Sequence, residues 1–373
     1  MSIYKLNRNK STIKSNMVIE NNFEIASPPS ETILRRISDL KIDLKMFRDS
    51  LDLNLTQFGE LIHDQFEINA KLAYQLSRIL GGSETFWKNR YVFYLEELNN
   101  SNKQVYEEYK SVLDQLCRSR KTNIENLLRD FRYSSLEHLV LDYFESPVIL
   151  YSRTQRLEPS PIIIANWIRE CEMEAEDFIY EGKVSQFSNE QLRNSIAELI
   201  SFSKINHLNK VIDRIQKICF DSGVILLCRS SHSGNGISGF TKRLLNNYRL
   251  VVVTDRYKNN AAFWFTFLHE LSHCILHDLR FPLIHFSDDE FKLASLRTNN
   301  FYEEEEADNY VESLLFPEEI KKNIRQCNSY NDILKLAVQY DISASLIVAQ
   351  IHREKLAPYN WYRKVYRRVE FNS

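Results

Sequence analysis

Two histidines and a glutamate interrupt an otherwise apolar run, FWFTFLHELSHCIL, at residues 263–276. His269 and His273 are four residues apart, so on a helix both imidazoles project from one face, one turn apart. With Glu270 beside the first, the stretch reads H-E-x-x-H. In that pattern two imidazoles hold a zinc ion and the glutamate is the general base. Zinc so held lowers the pKa of a water toward ~7, which makes a hydroxide-like nucleophile available near neutral pH. A hydrolytic zinc needs a third protein ligand and one open position. Downstream, YEEEEADNY at 302–310 contains E-x-x-A-D, and Glu304 and Asp308 again share a helix face. Glu304 is the expected third ligand, although its neighbours Glu303 and Glu305 leave the register open. Asp308 is expected to accept a hydrogen bond from a ligand histidine and so fix its tautomer. Burying such polar groups unpaired costs several kcal/mol, which a metal and its partners remove. His277 adds a third turn to the series and reads as a wall residue rather than a ligand. His232 and Tyr302 are further hydrogen-bond donors that could approach the site, each equally readable as a loop residue.

These residues need elements to hold them. The expected fold class is α+β and predominantly helical. Only 8 glycines and 8 prolines occur in 373 residues, which leaves few tight turns. Ahead of the apolar helix, VILLCRS, GISGF and YRLVVVTD read as two or three strands of one small sheet. SGF at 238–240 and RLVVVTD at 249–255 precede the helix, and an edge strand among them is expected to take a substrate backbone as an added strand, unless the sheet is purely structural. The segment 278–302 reads as a polar separator. Residues 29–98 read as five short helices, two of them joined by a tight turn, which matches an all-α helix-turn-helix domain. Asn54 is a good N-cap with Gln57 three residues on, a capping box. Asn69 is placed to cap the next helix, and Gly81 to end it. The expected division is a polar arm at 1–28, the helix-turn-helix domain at 29–98, a helical linker domain at 99–205, and a zincin-like domain with a small β-sheet and a helical extension at 206–373.

The stretch from GISGFTKRL through LHELSHCILH, followed by EEEEADNYVESLLFP, resembles the ImmA/IrrE family of bacterial metallo-endopeptidases. Those proteins share H-E-x-x-H followed by E-x-x-A-[ND], and their second helix tends to end in L-L-x-P. LAVQYDISASLIVAQIHREKL resembles the helical element that closes that domain. NAKLAYQLSRILGGSETFWKNR is similar to the Cro/repressor-like helix-turn-helix of HigA-type antitoxins. The resemblance implies a zinc peptidase that cleaves a repressor or antitoxin-like regulator, as in phage immunity, stress derepression or toxin–antitoxin control. It also implies a recognition helix at 55–63, where Asn54, Thr56 and Gln57 are the candidate contacts to operator DNA. That helix carries no lysine or arginine, and Asp52, Glu60 and Asp64 bracket it. Phosphate binding then falls to Arg35, Arg36, Lys41, Lys45 and Lys71. Use of the same fold for homodimerisation or for docking a partner stays open.

Composition narrows the alternatives. The 48 basic and 50 acidic residues nearly balance, which argues against non-specific coating of nucleic acid. Six scattered cysteines without C-x-x-C spacing fit reduced thiols in a cytoplasmic protein. No apolar window spans a membrane. Three functions compete: a zinc endopeptidase acting on a regulator, a DNA-binding regulator whose zinc domain senses or binds without proteolysis, and a toxin–antitoxin component working by protein contact. Glu270 favours the first, because a purely structural zinc site needs no general base and closes with four protein ligands.

Overall fold

The computed structural model describes residues 27–145, 161–205, 207–231, 237–279, 283–286 and 301–371. The chain is mostly helical, with one small four-stranded mixed sheet, and so is of the α+β class. Among the described residues no helix is long and apolar enough to cross a membrane. The chain divides into two compact units, one of Met1–Phe144 with Ile179–Gly182, the other of Glu145–Phe178 with Lys183–Ser373. His232, and most of the expected arm at 1–28, lie outside the described residues.

The first unit begins with α1 (Pro29–Leu40), α2 (Leu44–Ser50), α3 (Leu55–Ile62), α4 (Ala70–Leu80) and α5 (Glu84–Arg120). Their starts are written in side chains. Asp43, Asn69 and Ser83 accept from the third backbone N–H of α2, α4 and α5, and Asn54 forms the capping box with Gln57. Gly81 ends α4 at φ 81°. Ile33, Phe47, Phe58 and Leu76 are fully buried. Phe58 meets Phe47 and Tyr180 edge-on, with ring centroids 6.1 and 5.2 Å away. Helix α5 does not stop at 98. It runs to Arg120 with one non-helical residue, Tyr109, because nothing between 84 and 120 is glycine or proline. The expected boundary at 98/99 therefore falls inside a helix. Two further helices, α6 (Ile124–Asp130) and α7 (Leu136–Glu145), follow.

The second unit contains α8 (Pro161–Tyr180, as far as Phe178), α9 (Asn189–Ser201) and α10 (Ile212–Asp221), so the expected boundary at 205/206 lies within it. Then come β1 (Val224–Arg229), β2 (Ile237–Arg243), β3 (Arg249–Thr254), α11 (Asn260–Leu276), β4 (Leu283–Phe286), α12 (Phe301–Leu315), α13 (Glu318–Ile324), α14 (Tyr330–Gln339) and α15 (Ala344–Arg353). The strand order is β1-β3-β2-β4, with β1 parallel to β3 and β2 antiparallel to both β3 and β4. All six residues of β3 are buried, since it is central and both faces of the sheet are covered. Val224, Leu226, Val251 and Val253 share a core with α11, while Phe240 on the opposite face meets Trp167 of α8.

This topology corrects two expectations. Neither strand is an edge: β2, which holds 238–240, lies between β3 and β4, and β3 lies between β1 and β2. The edges are β1 and β4. The fourth strand, β4, lies in the segment taken for a polar separator, where Leu283 and Ile284 are too short an apolar signal to stand out.

Candidate metal centre

Helix α11 carries the site because it is the most buried helix of its unit. Asn259 caps it, accepting from Ala262 N at 2.9 Å. Asn260 ties it to the C-terminal segment through Arg367 and Ser345: its N–H donates to Arg367 O, its Oδ1 accepts from Arg367 N, and its Nδ2 donates to Ser345 Oγ. Trp264, Phe267, Leu268 and Leu271 are at most 1% exposed, and each such side chain contributes about 1.5–3 kcal/mol. On that anchored rod His269, Glu270 and His273 are also buried, at 1%, 0% and 0% exposure. Helix α12 packs against α11 and presents Glu304 and Asp308 one turn apart.

Three donor groups converge. His269 Nε2 and His273 Nε2 lie 3.0 Å apart. The Glu304 carboxylate is 3.2 Å from the first through Oε2 and 3.4 Å from the second through Oε1. A tetrahedral zinc with ligands about 2.1 Å away has edges of about 3.4 Å, so the spacing fits that ion. The other ring nitrogen of His269 faces Asp308 Oδ1 at 2.9 Å. With a cation on Nε2, Nδ1 would bear the hydrogen and donate it to Asp308. Two imidazole Nε2 atoms and a carboxylate thus face one point, a donor set that could hold a metal ion. The four residues expected to build the site are brought together, with Glu304 rather than Glu303 or Glu305 in the ligand register.

The titration of the cluster has the same origin. Burial alone would push His269 down, but its hydrogen bonds to Asp308 and Glu304 outweigh that and lift it to about 10. Burial dominates for His273 and lowers it to about 4. Burial also raises Glu270 to about 8, against the pull of His269 and Thr241.

Glu270 stands outside the triad. Thr241 on β2 donates its hydroxyl to Glu270 Oε2 at 2.6 Å, and Oε1 is buried with no hydrogen-bond partner. Gly239, on the same face of β2, makes room for that carboxylate: a Cβ there would stand 2.6 Å from Oε1. Neither Thr241 nor Gly239 is marked by the motif. The available signal is period-2 alternation, which puts 239 and 241 on one face of a strand ahead of the helix. His277, read as a wall residue, has its Nδ1 3.0 Å from His273 Nδ1. Tyr302 is 79% exposed in the first turn of α12.

In the first unit, two of the three candidate DNA contacts, Asn54 and Gln57, form the capping box of α3. Gln57 N donates to Asn54 Oδ1 at 2.9 Å and Asn54 N donates to Gln57 Oε1 at 3.1 Å, so each side chain is spent on the helix start. Thr56 is exposed. A shallow pocket beside them is bordered by Asp49 and Asp52. Of the expected phosphate binders, Lys45 pairs with Asp49 at 2.7 Å, Lys71 lies 3.9 Å from Asp52, and Arg36 donates to Leu80 O at 2.9 Å.

Compared with known proteins, the chain matches no family model and no curated sequence.

Proposed function

We propose that this chain is a zinc-dependent endopeptidase that cleaves a transcriptional repressor or antitoxin-like regulator, with a helix-turn-helix module on the same chain. The observation that carries the reading is a three-donor centre with a partnerless buried carboxylate oxygen beside it. His269, His273 and Glu304 would hold the zinc, which when bound supplies a Lewis acid for a peptide carbonyl. Glu270 Oε1 takes a proton from the attacking water and returns it to the leaving amine as the C–N bond breaks. Thr241 fixes the other carboxylate oxygen throughout. The choice of a regulator as substrate rests on the resemblance of the motif helices to ImmA/IrrE peptidases and of 69–90 to HigA-type domains. Cytoplasmic location goes with that substrate.

For the helix-turn-helix unit, docking of a protein partner or a second copy is favoured over DNA reading. The acidic border of α3 and the paired lysines around it support this choice. The deciding experiment is Glu270→Gln, with zinc content and cleavage of a co-expressed regulator read on the same samples. Zinc should stay, and cleavage should fall on the order of 10²–10⁴-fold. A variant that cleaves like the parent chain would sink the peptidase reading in favour of a regulator whose zinc domain binds without proteolysis.

A further inference from the structure

Helix α11 ends at His277, whose backbone turns extended (φ −117°, ψ 152°) while its N–H still donates to His273 O at 3.0 Å. The turn brings the two rings together, centroids 5.1 Å apart and planes 41° apart. Nδ1 faces Nδ1 at 3.0 Å, and His277 Nε2 stands 3.3 Å from Glu306 Oε2. The His277 side chain is 10% exposed and Glu306 62%. A ring whose Nε2 lone pair is committed to a cation carries its hydrogen on Nδ1. His273 Nδ1–H then donates to His277 Nδ1, so the hydrogen of His277 sits on Nε2 and is donated to Glu306. The chain of donors runs one way, from the triad to a surface carboxylate.

We infer that His277 is a positioning residue for the metal ligand His273, filling through a histidine anchored on Glu306 the place that Asp308 fills directly for His269. The inference rests on the metal-site reading of the triad. It makes the two histidine ligands unequal. His269 is backed by a carboxylate, whereas His273 is backed by a neutral ring, a weaker acceptor that lends its ligand less basicity.

The test uses zinc alone, titrated into the metal-stripped full chain against a chromophoric chelator, with metal-free melting midpoints recorded beside it. His277→Ala should weaken zinc about 10–100-fold, the usual effect of losing such a partner. His277→Asn, whose Oδ1 can take the place of the ring Nδ1 as acceptor, should recover most of that loss. His277→Leu fills the space without accepting and should bind as weakly as alanine. If the alanine chain fails to fold, the Asn and Leu chains decide. Equal zinc affinity in the parent, Asn and Leu chains overturns the inference and leaves the metal site standing. Asn binding as weakly as Leu overturns it too, since packing would then explain the loss. A parent chain that takes up no zinc overturns the metal-site reading itself.

Discussion

Replacing Gly239 by alanine tests whether Glu270 is held by close packing rather than merely located near the triad. The added Cβ would lie 2.6 Å from Glu270 Oε1, 2.9 Å from Thr266 Cγ2 and 2.9 Å from Val252 O, where ordinary contact begins at 3.4 Å. Glu270 would have to retreat by about 0.8 Å (3.4 − 2.6), and the other two atoms by about 0.5 Å each (3.4 − 2.9). None has room. Glu270 is fully buried with Oε2 bonded to Thr241, and Val252 O belongs to the backbone of the central strand. Overpacking of this kind costs about 1–3 kcal/mol. A displacement approaching 1 Å at a reacting group cuts turnover about 10²-fold. His269, His273 and Glu304, which would hold the zinc, are untouched, so zinc stoichiometry should hold while hydrolysis of an internally quenched peptide mixture falls and the melting midpoint drops. Gly239→Ala protein that melts and cleaves like the parent chain would show that Glu270 is not confined as described, and the positioning argument would fail with it.

His269→Ala should lose both zinc and cleavage, in contrast to Glu270→Gln; elemental analysis showing full zinc in His269→Ala would remove that residue from the ligand set. Asp64 in the first unit is raised to about 7 by burial, against hydrogen bonds from Ser30 N and Oγ. A carboxyl raised on folding stabilises the fold below its unfolded pKa near 3.8 and loses that contribution as pH climbs toward 7. The loss is up to about 4 kcal/mol, which Asp64→Asn should abolish. Hydrogen exchange of the α3 and α4 amides at pH 5 and pH 8 reads it, and an unchanged slope in the asparagine chain would refute it. Fluorescence anisotropy with the upstream DNA at low salt should show no specific complex; salt-sensitive binding lost in Gln57→Ala would restore the DNA-reading assignment.

Local signals were legible where the chemistry is local. Asn54 and Asn69 announce helix starts because a short polar side chain can satisfy the backbone three residues ahead without help from the rest of the fold. The end of α5 was not legible at 98, because the polar stretch NNSNKQ exposes a helix as readily as it breaks one. Strand order was out of reach for a different reason. β1, β2 and β3 each show apolar runs, but which lies in the middle depends on pairing between residues such as Leu226 and Val251, 25 positions apart. β4 has only four residues, so although Pro282 and Ser287-Asp288-Asp289 flank it, its pairing with β2, which closes off the supposed edge, had no mark in the sequence.

The same division runs through the site. His269, His273, Glu304 and Asp308 were legible because i, i+4 spacing is a property of one helix at a time. What surrounds Glu270 is not, since Thr241 and Gly239 reach it from a strand 29 and 31 residues away (270 − 241 and 270 − 239). That surround matters to the charge of the whole cluster. His269 at about 10 and Glu270 at about 8 are both shifted toward the protonated form, and His273 at about 4 toward the neutral form. A divalent cation at the triad would favour release of protons from His269 and Glu270 as it bound. Glu270 would then stand as a carboxylate, the form a general base requires. With Oε2 held by Thr241 and Oε1 without a hydrogen-bond partner, Glu270 is placed for the base role proposed for it.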